Sequence, residues 1–141
     1  EIELRVSAAE IMGEFGSSQD LPFLEKNILG GEMKDYNRLR VLLAYAYHVI
    51  RNGSESMSNA VEVMTYSKNN GNQYTGWYFE RIVERFLEIL QTEQQGIEEE
   101  LQQIGNNNSN AKLQSLRNKK ATLEILYNGL APLFETEETE K

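Results

Sequence analysis

Apolar residues recur at steps of three and four along most of the chain, and polar or glycine-rich breaks divide that pattern into six segments. Leu4, Ala8, Ile11, Met12 and Phe15 form a stripe that predicts a helix over residues 2–15, with Gly16 as a left-handed stop. Ser18 or Asp20 is placed to cap a second helix, Pro22 falls in its first turn, and Leu21, Leu24, Ile28 and Leu29 supply its apolar face before Gly30 and Gly31. A third helix begins near Lys34 or Asp35, carries Leu39, Leu42, Leu43, Ala46 and Ile50, and stops at Asn52 and Gly53. Ser54 or Ser56 is placed to cap a fourth, in which Met57, Ala60, Val61 and Met64 share a face. Residues 61–66 also fit a short strand, but one strand alone would have no partner. Residues 67–73 hold no apolar side chain and read as a loop.

The next segment is unusually long. Over residues 74–104, Val83, Leu90, Ile97 and Ile104 stand seven apart, Leu87 and Leu101 fill intermediate positions, and Gln94 is a polar break in the seam. Gly96 lies inside it at a cost of about 1 kcal/mol relative to alanine, so a bend or weak point is expected there. After a polar turn at residues 105–110, Leu113, Leu116, Leu123, Leu126, Leu130 and Leu133 continue a helical pattern to Pro132. Two long helices around a short turn predict an antiparallel hairpin, whose tip near residues 97–116 is thinly apolar and reads as projecting from the body. Residues 135–141 are acidic, lack a core former and are expected to fray.

Leu4-Arg5-Val6 returns 35 residues later as Leu39-Arg40-Val41, and both copies open amphipathic helices with small residues in their middle. Alignment of the copies sets Ala9 over Ala44, Ile11 over Ala46 and Phe15 over Ile50. Ala8, Ala9 and Gly13 suit the crossing point of two antiparallel helices, where short side chains permit close approach. The first copy, with its polar turn and the run Asp20-Leu21-Pro22-Phe23-Leu24, resembles a HEAT repeat; the second lacks a proline after its turn. The resemblance covers residues 3–66 and implies stacked helical hairpins used as a binding surface. Enzymes of that resemblance include tetrapyrrole lyases and DNA glycosylases. The expected fold is all-α, one domain over residues 1–134, with HEAT-like hairpins followed by a long antiparallel helical hairpin at 74–134.

A chain of 141 residues suits one domain with one continuous core. Its 40% hydrophobic and 26% charged residues are those of a globular chain rather than a disordered one. The net charge of −8 repels phosphate backbones and favours protein partners, basic ones among them, over nucleic acid. Absence of cysteine excludes disulfides, a thiolate nucleophile and a zinc–cysteine site. The longest apolar run, residues 41–50, is interrupted by His48 and is about half the ~20 residues of a membrane span, so no membrane insertion is expected. A chain that opens on Glu1 without a basic-then-apolar leader fits an excised domain or a mature product, and a cytosolic home is natural without being required.

Little catalytic chemistry is visible. His48 is the only histidine and reads as a packed or surface residue. Glu80, Glu84 and Glu88 lie one turn apart, but the Glu-x-x-His unit of di-iron bundles and the glycine-centred acidic loop of calcium sites are absent; with Arg81 and Arg85 between them they read as a solvated charged face. Lys112, Arg117, Lys119 and Lys120 form the one basic cluster, without aromatic stacking partners, and are expected to pair with Glu98, Glu99 and Glu100 across the long hairpin. Gly13 to Gly16 and Gly30-Gly31 lack the lysine and strand of a phosphate loop. No metal or other cofactor is implied.

Aromatic residues are the informative excess. Tyr74, Trp77, Tyr78 and Phe79 crowd the start of the long helix, and neighbours there point about 100° apart, so at least one ring should be exposed. Trp77 and Phe79 could instead seal the junction between the hairpins and the long helices. Tyr36, Tyr45 and Tyr47 lie on the second hairpin, and Tyr45, Tyr74, Trp77 and Tyr78 make the candidate partner-binding set. The function read from these features is a non-catalytic interaction or scaffold module. An acidic immunity-like or antitoxin-like inhibitor of a basic partner is the alternative, and the heptad seam of the long hairpin offers a route to a homodimer.

Overall fold

The computed structural model describes residues 1–104 and 110–134, and the regular structure there is entirely helical. It comprises α1 (Ile2–Phe15), α2 (Leu21–Leu29), α3 (Asp35–Asn52), α4 (Ala60–Asn69), α5 (Gly76–Ile104) and α6 (Asn110–Leu130), with short 3-10 turns at Ser18–Asp20, Gly53–Ser56 and Ala131–Phe134. Residues 61–66 are helical, which disposes of the strand alternative. The expected turn at 105–109 and the acidic tail at 135–141 lie outside the described residues.

Local chemistry explains the boundaries. Gly16 is extended (φ −74°, ψ 163°) rather than left-handed, and glycine is needed there for space, since a Cβ would sit 2.6 Å from Asp20 Oδ2. Asp20 takes the N-cap position of α2 without a side-chain cap bond, and Ser17 caps the 3-10 turn before it: its hydroxyl accepts from the Gln19 amide at 3.3 Å while its own amide donates to Asp20 Oδ2 at 3.0 Å. Gly53 ends α3 in the left-handed region with φ 77°. The expected loop starts later than its composition suggests: α4 runs to Asn69, and the buried Ser67 hydroxyl is satisfied within it by donating to the Val63 carbonyl at 2.9 Å. Asn72 then accepts from the Tyr74 and Thr75 amides at 2.9 and 3.2 Å, and this turn delays the start of α5 to Gly76.

α1, α3 and α5 lie side by side and run the same way. Arg40 near the start of α3 pairs with Glu3 and Glu10, while Arg51 near its end reaches the last carbonyls of α1. Along α3 and α5, Tyr36 meets Tyr74, Tyr45 meets Phe86, and Ser54 meets Glu93. On the other side Asn59, at the start of α4, donates to Glu25 of α2 at 3.1 Å, and Lys68 of α4 donates to the Leu133 carbonyl beyond α6 at 3.3 Å. α5 and α6 touch at Gln91 and Tyr127 (3.0 Å) and at Glu98 and Lys120 (2.5 Å). Val6, Leu24, Tyr45, Met57, Met64, Phe86, Leu90 and Leu130 are buried in the single core between these elements.

Two expectations are corrected here. The stripe read along α1 faces the wrong way: Leu4, Ile11 and Phe15 are 73%, 62% and 75% exposed, and the buried face is Val6, Ala9 and Gly13. α1 is an edge helix, and its close contact is with α3 rather than with an antiparallel neighbour. At Gly13 the backbones approach so closely that a Cβ would lie 2.8 Å from Ala44 Cα. The small residues therefore face inward and the long ones outward. The heptad seam of α5 is also not available to a second copy, because Val83, Leu90, Ile97 and Ile104 are all buried within the chain. Gly96 does not interrupt α5.

Candidate functional site

The α1–α3 pair leaves an open groove of about 690 Å³ lined by Leu43, Ala44 and Ile50 and edged by Tyr36, Tyr47, Glu10, Glu14, Arg40 and Arg51. Its two arginines brace the walls. Arg40 holds Glu3 at 3.0 Å and Glu10 at 2.8 Å across the helix pair. The hydrogen bond from Arg40 keeps the Glu10 carboxyl below the usual carboxylate range, opposed in part by burial, and the Glu10 and Glu3 bonds in turn hold Arg40 more firmly protonated. Arg51 donates to the carbonyls of Gly13 at 2.9 and 3.1 Å, Gly16 at 2.9 Å and Met12 at 3.3 Å. It thereby supplies to the end of α1 the positive charge that the last turn of α1 lacks.

One end of the groove runs into the start of α5 through rings. Tyr36 meets Tyr74 edge-on, with centroids 5.9 Å apart and planes at 71°. Trp77 and Tyr78 form a second edge-on pair at 4.8 Å, and the Arg81 guanidinium lies 3.4 Å above the Trp77 ring while donating to the Trp77 carbonyl at 2.8 Å. Tyr36 and Tyr47 are each 56% exposed, and Tyr74, Trp77 and Tyr78 are 40%, 59% and 37% exposed. Phe79 turns inward and seals the junction, whereas Trp77 does not. Tyr36 and Tyr74 hold one another, and Trp77 is held by Tyr78 and Arg81, so these four rings keep little side-chain freedom.

Tyr45 does not belong to this surface. It is fully buried, packed on Phe86 at 6.2 Å, with a hydroxyl that has no hydrogen-bond partner among the described residues. Burial, and then the Glu25 carboxylate, push its phenol well above the ordinary tyrosine range. Sequence reading missed Tyr36 and Tyr47 in its place, and the signal was present: positions eleven apart fall on nearly one helix face, while positions two apart differ by about 200°.

The remaining candidates fall into structural roles. His48 is buried, with Nε2 2.8 Å from the Ser17 carbonyl, and ties α3 to the turn after α1. Glu80 and Glu84 are exposed and Glu88 pairs with Arg85 at 3.4 Å. Lys120 bonds Glu98, which raises its pKa, and this pair is one of those expected between the basic cluster and the α5 glutamates. Among the described residues no group of three or more histidine, aspartate or glutamate side chains is placed to hold a metal, and no helix is long and apolar enough to cross a membrane. No family model, curated protein or solved structure matches the chain.

Proposed function

We propose that the chain is a non-catalytic protein-interaction module, a HEAT-like stack of helical hairpins that ends in a long antiparallel hairpin. The like direction of α1, α3 and α5, and the return of α2, α4 and α6 on the other side, support the stacked reading. The observation that carries the function is the exposed band of rings Tyr47, Tyr36, Tyr74, Trp77 and Tyr78 along the α1–α3 groove and the start of α5. Rigid, amphipathic rings beside an apolar groove are the usual anchors of a protein interface. The groove suits an extended or helical segment whose apolar side chains reach Leu43 and Ile50, with the rings covering its flank.

The alternative, an acidic inhibitor that masks a basic partner, draws on the net charge of −8 and on the Glu10 and Glu14 edge of the groove. Affinity capture from the native source, comparing the parent chain with a folded Trp77→Ala/Tyr78→Ala double variant, tests the first reading. Truncating two anchor rings is expected to cost at least about 2 kcal/mol, or roughly thirtyfold in Kd, measured on the purified pair by Trp77-independent titration calorimetry. Equal affinity of both proteins removes the rings from the interface. Strong salt dependence with unchanged ring dependence favours the acidic-inhibitor reading.

A further inference from the structure

α1 carries two apolar faces, and only one is buried. The outward face presents Leu4, Ala8, Ile11 and Phe15, and the three large side chains are each more than 60% exposed. Their 4-3-4 spacing is that of a coiled-coil seam, aligned along one line of the helix and directed away from α3. The other edge of the helix row is different, since the exposed face of α5 carries Glu80, Arg81, Glu84, Arg85 and Glu88. A stack of copies head to tail would bury α1 apolar residues against those charges and leave them desolvated. Self-association through α1 must therefore pair like with like.

We infer that this stripe is a self-association surface on which α1 of one copy packs antiparallel against α1 of a second copy about a two-fold axis. The antiparallel register sets Leu4 opposite Phe15 of the second copy and Ala8 opposite Ile11, so a small side chain meets a large one in the middle layers. A parallel register would set Ala8 on Ala8 and Phe15 on Phe15, leaving a void in one layer and crowding another. Flanking positions also agree with the antiparallel choice: Glu14 lies across from Ser7 and the Arg5 stem across from Met12, with no like charges opposed. The α1 helix dipoles oppose as well. The apolar stripe is separate from the ring-lined groove, which touches α1 at Glu10, Gly13 and Glu14; the two share only Glu14 at their margin.

Two such stripes bury less than the roughly 1,200 Å² of a standard interface, so the dimer is weak and must be sought at high concentration. Sedimentation equilibrium of the whole chain up to about 0.5 mM is expected to show a monomer–dimer equilibrium that strengthens with salt, as screening reduces repulsion between copies of charge −8. Ile11→Glu is expected to remain monomeric throughout with an unchanged helical spectrum, and Leu4→Gln, a milder change on the same exposed line, to weaken association at least about tenfold. Because the chain has no cysteine, register can be read directly. A Leu4→Cys/Phe15→Cys double variant is expected to cross-link between copies under mild oxidation, while Leu4→Cys alone does not, the two Leu4 positions lying about 16 Å apart along the antiparallel pair. A monomer at every concentration, association unaffected by Ile11→Glu, or cross-linking of the single variant as readily as the double would each overturn the inference.

Discussion

Replacing Gly13 by alanine sets helix preference against packing at the α1–α3 contact. In an exposed helix interior that change stabilises by about 1 kcal/mol. Here the new Cβ would lie 2.8 Å from Ala44 Cα and 2.9 Å from its carbonyl carbon. Backbone atoms cannot rotate aside, so α1 must retreat by about 1 Å to restore ordinary carbon contact. Overpacking of this kind costs about 1–3 kcal/mol. The retreat also stretches the Arg51 bonds to the Gly13 carbonyl, now 2.9 and 3.1 Å. Hydrogen bonds from a charged donor contribute about 1.5–3 kcal/mol, with partial exposure favouring the lower end. After the propensity gain is subtracted, the expected loss is about 2–3 kcal/mol, or roughly 6–15 °C in Tm for a chain of this size. Gly96→Ala is the matched control, since a Cβ there meets nothing within 4 Å. It should stabilise by about 0.5–1 kcal/mol. Urea and thermal unfolding followed by far-ultraviolet circular dichroism measure both. Gly13→Ala at or above wild-type stability would refute the close backbone approach.

Two further outcomes are expected. Tyr45→Phe removes a buried hydroxyl without a partner among the described residues, so stability should change by less than about 1 kcal/mol or rise; a loss beyond about 2 kcal/mol in urea unfolding would reveal a hydrogen bond at that hydroxyl. Because the Glu10 carboxyl is held below its ordinary range by Arg40, its contribution to stability is present above that range and lost as pH falls through the depressed folded value. The stability difference between wild type and Arg40→Gln should accordingly shrink on acidification, and a difference constant with pH would contradict the assignment.

Helical periodicity made most of the architecture legible. The ends of α1 and α3 were readable because an apolar stripe met a glycine stop, and the seam at Val83, Leu90, Ile97 and Ile104 marked the buried side of α5. The inward face of α1 was not readable, because periodicity weighs large side chains while the packed face is made of Val6, Ala9 and Gly13. Only the neighbouring Ala44 backbone explains why small residues win there. The candidate surface was half legible. Crowding at Trp77, Tyr78 and Phe79 forces a ring outward on geometry alone, and Trp77 and Tyr78 are the ones exposed. Placing Tyr45 with them overlooked that it faces away from Tyr47 on the same helix, toward Phe86. Ser17 as the cap was hidden because the residues after it form a 3-10 turn rather than the first turn of α2.

The trans capping of α1 by Arg51 bears on how the molecule opens. α1 is an edge helix with one wet face and packs chiefly on a single neighbour, α3, so it forms the natural unit of sub-global unfolding, above local fraying and below loss of the whole core. Its departure would strip Arg51 of the Met12, Gly13 and Gly16 carbonyls at once, and Arg40 of Glu3 and Glu10. Those bonds sit at the two ends of the α1–α3 contact, so the helix is held like a strip fixed at both ends and should detach in one step rather than peel. Amide protons along α1 would then exchange with a common free energy, lower than that of Tyr45 or Phe86 in the core.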